Sequence, residues 1–93
     1  MNVVGRSMSG DHRLQVRVGP TDSRRIGAMP LYYIVECLEC GDWHGDGESR
    51  TLAPKRLGEG HVSTIDDAIV QLRYVCDQHL TRRGVVDLIR SFL

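Results

Sequence analysis

The sequence predicts an α+β fold: a small antiparallel sheet of about three strands, one main helix packed across it, and a short second helix at the C-terminus. Three observations carry this prediction. HRLQVRVG, His12 to Gly19, alternates apolar Leu14, Val16 and Val18 with polar Arg13, Gln15 and Arg17, the period of a half-buried strand. LYYIVEC, Leu31 to Cys37, concentrates aromatic and β-branched residues, which suit a pleated surface. From Ala68 onward the apolar positions Ala68, Ile69, Leu72, Val75, Cys76, His79 and Leu80 recur with a helical period.

In chain order, Met1 to Ser9 reads as an arm before the first strand. GPTDSRRIGAMP, between Gly19 and Pro30, reads as a loop because Gly-Pro opens it and Pro30 closes it. Met8 and Met29 are alternative translation starts, so 1–28 reads as an N-terminal extension holding one strand. Cys37 ends the second strand, and GDWHGDG is turn chemistry. ESRTLAP is a returning strand ended by Pro54, KRLGEG a further turn, and His61 to Ser63 extended. Ser63 or Thr64 caps the main helix, with Asp66 and Asp67 in its first turn. That helix is expected over 65–82, with Gly84 just past its end. The tail, 85–93, repeats the period through Val85, Leu88, Ile89 and Phe92. The whole, 1–93, is one domain, with its core at 31–84.

Formal net charge is zero, so no global field points to nucleic acid or membrane. The distribution is uneven: 1–28 carries about +3 and 29–54 about −4, so the segment around the first two cysteines is the acidic part. No apolar run approaches the roughly 20 residues that span a bilayer, and the N-terminus lacks an export signal's apolar stretch. A cytoplasmic location is the expectation. In a reducing compartment the three cysteines read as metal ligands before disulfides.

Cys37 and Cys40 have the x2 spacing of a metal knuckle, with Gly41 relieving the backbone after the second thiolate. Cys76 and His79 lie three apart on the expected helix, so both side chains reach one point on its buried stripe. Cys37, Cys40, Cys76 and His79 together make a closed Cys3His set, the structural zinc type, which pins the hairpin turn to the helix. Two alternatives stay open. Cys3His also suits an iron–sulfur cluster, and Cys76 alone is a good small core residue. A thioredoxin-like CxxC would open a helix, whereas glycines follow here. His44 and His61 read as surface or turn histidines. No G-x-S-x-G, HExxH, P-loop or deaminase pattern occurs, so nothing in the sequence supports an enzyme.

YYIVECLECGDWHG followed by STIDDAIVQLRYVCDQHLTRRG resembles the small zinc-ribbon or zinc-finger-like accessory proteins of actinobacteria and their phages. The likeness covers about Leu31 to Gly84, and Cys37, Cys40, Cys76 and His79 match its ligand pattern. The long stretch between Cys40 and Cys76 departs from the shortest fingers. The resemblance implies a small accessory or regulatory protein.

The function expected is a non-catalytic zinc-binding module that docks on a protein partner and regulates a nucleic-acid or transcription machine. Trp43, Arg24, Arg25 and Phe92 are the candidate contact residues. Direct nucleic-acid binding through the arginines is the alternative, followed by a redox or iron–sulfur protein. The apolar tail also allows a homodimer. No membrane partner is expected.

Overall fold

The computed structural model describes residues 1–22, 27–45 and 47–92, and of 83–88 the backbone alone. Four strands run in chain order, β1 (Asn2–Ser9), β2 (His12–Pro20), β3 (Leu31–His44) and β4 (Thr51–Val62), followed by one helix, α1 (Ile65–Ser91). The strands form a single antiparallel sheet in the order β1-β2-β3-β4. The sheet has one strand more than expected, because the N-terminal arm is β1.

β1 escapes a pattern reading because Gly5 interrupts it and a bulge between Val3 and Gly5 shifts its register. Its turn into β2 has a sequence cause. Gly10 and Asp11 join Ser9 to His12, and Gly10 takes φ +60°, the left-handed geometry a two-residue hairpin asks of its first position. β4 also corrects the expectation. It runs unbroken through Pro54 and through the KRLGEG segment read as a turn. It is an edge strand, where Pro and Gly are tolerated.

α1 packs over one face. Leu14, Val16, Val18, Val35, Cys37, Val62, Ala68, Leu72 and Cys76 make the buried core between sheet and helix. The expected inward face of the helix is therefore present as far as Cys76, with Ala68, Leu72 and Cys76 deepest and Ile69 and Val75 half-buried at its margins, while Leu80, expected on the same stripe, is exposed. Leu14, Val16 and Val18 lie opposite, as expected. Thr64 caps the helix, accepting from the Asp67 amide at 3.2 Å. The expected stop at Gly84 and the separate second helix are not found; one helix continues to Ser91. A lone glycine costs a helix only about 1 kcal/mol, and no proline follows to end it.

The other sheet face carries ion pairs. Arg17 grips the buried Glu36 through two bonds, Nε to Oε1 at 2.5 Å and a terminal nitrogen to Oε2 at 3.1 Å, and Gln15 donates to the same carboxylate. Arg13 pairs with Glu39, and Arg56 with Glu59, which also accepts from the Tyr32 hydroxyl.

Candidate metal centre

Between Cys37 and Asp42 the ladder from β3 to β4 breaks. Cys37 lies opposite Lys55 and Asp42 opposite Ala53, so Leu38, Glu39, Cys40 and Gly41 bulge out against Pro54 alone. Pro54 has no N–H, so it loses no donor where β3 leaves the ladder. The bulge swings Cys40 back toward Cys37. Gly41 is required here by close approach, since an added Cβ would stand 1.6 Å from the Ala53 carbonyl oxygen. Its φ is not positive, so the relief expected of it is steric and not torsional.

The bulge meets two histidines. His12 starts β2, and its Nδ1 lies 3.5 Å from Cys37 Sγ and 3.2 Å from Cys40 Sγ. His79 comes down from α1, with Nε2 3.5 Å from Cys40 Sγ. The two rings meet edge to face at 5.1 Å. All four ligand atoms lie within 4.8 Å of one another. Bond lengths of about 2.3 Å to sulfur and 2.0–2.1 Å to nitrogen set a tetrahedral S···N edge of roughly 3.6 Å. The three S···N distances of 3.5, 3.2 and 3.5 Å lie close to that edge, so His12, Cys37, Cys40 and His79 can together hold a metal ion.

Three of the four expected ligands are brought together and the fourth is exchanged. Cys76 is buried in the core, where its Sγ donates to the Met8 carbonyl at 2.9 Å and lies 3.9 Å from the Ser7 hydroxyl. Both partners belong to β1, the strand the pattern reading lacked. Ser9 fastens the same turn of helix, donating to the Cys76 carbonyl at 2.8 Å. His12 takes the fourth place. Its signal was present in the alternation, because it precedes Leu14, Val16 and Val18 by one further step of two and so shares their inward face.

Of the candidate contact residues, the two described ones, Trp43 and Phe92, are not members of the cluster. Trp43 stands 59% exposed on the hairpin beyond it, with the Arg50 guanidinium 5.2 Å over its ring. Phe92 is 81% exposed at the helix end. Arg24 and Arg25 lie outside the described residues. His44 is exposed, and His61 Nδ1 lies 3.1 Å from the Thr21 hydroxyl, so both stand clear of the cluster.

Charges near the cluster are arranged locally. Glu39, within the bulge, accepts from the Arg13 amide at 2.6 Å and from its guanidinium at 2.5 Å. These two bonds, the amide's first, hold its carboxyl below the usual glutamate range. Among the described residues, no helix is long and apolar enough to cross a membrane. No protein-family model, no curated protein and no solved structure matches the chain.

Proposed function

We propose that the chain is a non-catalytic, zinc-stabilised binding module that docks on a protein partner. The closed ligand set carries the reading. Two imidazoles and two thiolates within 4.8 Å of one another supply a full shell, the structural type of zinc site, whereas a catalytic zinc keeps a position for water or substrate. Two thiolates also balance a divalent charge, which suits a centre one of whose sulfurs, that of Cys37, is fully buried. The spacing favours one ion over an iron–sulfur cluster. In a two-iron centre of Cys2His2 type the cysteines and histidines sit on different irons. Here His12 Nδ1 lies close to both sulfurs.

Docking on protein, in preference to nucleic acid, is supported by how three of the four strand arginines are engaged. Arg13, Arg17 and Arg56 each hold a glutamate of the same chain, so a phosphate would compete with an ion pair already made. Trp43 offers the aromatic anchor that protein interfaces favour.

The test is metal analysis of the purified chain beside a mobility assay on mixed-sequence nucleic acid. One zinc per chain, no visible charge-transfer band and weak nucleic-acid binding are expected. Iron with visible absorption would replace the zinc reading. Tight, salt-dependent nucleic-acid binding lost in Arg24→Ala/Arg25→Ala would replace the docking reading.

A further inference from the structure

We infer that Cys37 and Cys40 form a peroxide-sensitive release for the metal, and that their oxidation frees the outer part of α1 from the sheet. The inference rests on the metal reading above. It begins with an asymmetry between the two thiols. Cys37 is fully buried, while Cys40 is partly exposed on the bulge. An oxidant in solvent therefore meets Cys40 first. The bulge from Leu38 to Gly41 lies outside the ladder to β4, so the shift that closes a sulfur–sulfur bond breaks none of its rungs. The two Sγ atoms already lie within 4.8 Å. The third thiol is withdrawn from this chemistry, since Cys76 is 7% exposed and bonded to Met8 of β1.

The step balances with hydrogen peroxide as oxidant. The Cys40 thiolate attacks one peroxide oxygen, the O–O bond breaks, hydroxide leaves, and Cys40 becomes a sulfenic acid. The Cys37 thiolate attacks the Cys40 sulfur, the disulfide forms, and a second hydroxide leaves. Two protons from solvent convert both hydroxides to water. The sulfurs lose two electrons and the peroxide oxygens gain them. His12 and His79 are left as two neutral ligands with no thiolate beside them, and they lose their grip on a divalent ion.

The consequence for the helix follows from where its described buried positions lie. Among the described residues Ala68, Leu72 and Cys76 are the buried anchors of α1, and His79 carries the helix one turn further into the cluster. Beyond it Leu80, Ile89 and Phe92 are each more than half exposed. Loss of the ion removes a bridge from α1 to β2 and β3 just beyond its buried anchors.

The experiment treats the zinc-loaded full chain with hydrogen peroxide. Released zinc is read with a chromogenic chelator, thiol state by intact mass and peptide mapping, and backbone protection by hydrogen exchange. One zinc released per Cys37–Cys40 disulfide is expected, with a mass loss of two hydrogens and reversal by reductant plus zinc. Cys76→Ser should respond like the parent chain. Exchange should rise over 77–91 and stay low over 65–76. Zinc retained under peroxide that fully oxidises a free CxxC peptide would overturn the release and leave the metal reading standing. A disulfide involving Cys76, or protection lost along the whole helix, would overturn the assignment of the switch. A chain purified without metal would overturn the metal reading and this inference together.

Discussion

His12→Ala and Cys76→Ser form a pair whose expected effects run opposite to what cysteine spacing alone suggests. Structural zinc in small domains binds with an apparent free energy of about 10–16 kcal/mol, and most of it is folding free energy. Shared over the four ligands His12, Cys37, Cys40 and His79, this is roughly 2.5–4 kcal/mol each, or about 10²–10³-fold in affinity. Water entering the open position returns part of that. His12→Ala should therefore weaken zinc by about 10²-fold and lower the melting temperature of the zinc-loaded chain toward that of the metal-free one. Cys76→Ser keeps a donor for the Met8 carbonyl and touches no ligand atom. Its cost should be about 1 kcal/mol of stability, with zinc affinity unchanged. Competition against a chromogenic chelator, with thermal melts with and without EDTA, separates the two. Zinc lost in Cys76→Ser and retained in His12→Ala would refute the ligand set.

Leu72 is 2% exposed over the sheet, so Leu72→Ala should cost about 2–5 kcal/mol, read as a shift in the urea midpoint at unchanged slope. Gly41→Ala places a methyl on the Ala53 carbonyl, so the bulge must move and zinc affinity should fall; unchanged affinity would refute the close approach. Glu39 should titrate below the ordinary glutamate range by NMR, and Arg13→Ala should raise it. Because the folded pKa is the lower one, this pair stabilises the fold above the unfolded value of about 4.3 and the contribution is lost as pH falls through the folded value.

The parts of the fold that could be read in advance are those whose pattern is both local and periodic. β2 alternates, the start of β3 is dense in Tyr, Ile and Val, and α1 carries a cap and a stripe. β1 has neither feature, because Gly5 and a bulge break its period; it is a strand because β2 offers it a ladder. The continuation of β4 through Pro54 likewise depends on what β3 does opposite. Cys37, Cys40 and His79, three members of the cluster, were legible from spacing. The same spacing pointed to Cys76, and the inward face of His12 was visible in the alternation without its role, for one shared reason. β1 accepts the Cys76 thiol, and a residue from the neighbouring strand completes the set. A count of cysteines weighs residue types, whereas the exchange was decided by which strand ran beside which.

The ligand positions also dictate a sequence of events in time. Cys37 and Cys40 are neighbours along the chain and can catch an ion while the rest still fluctuates. His12 and His79 are separated by most of the polypeptide. They arrive only after β2 has zipped along β3 and α1 has swung back across both. The entropy of bringing such distant points together grows only slowly with span, but the search for non-local partners is slow. An ion held early on the two thiolates turns the last encounters into capture by a fixed point. An ion supplied late must wait for the cage to assemble without it. Refolding should therefore depend on when zinc is added as well as on how much, with early zinc giving the faster final phase in stopped-flow measurements.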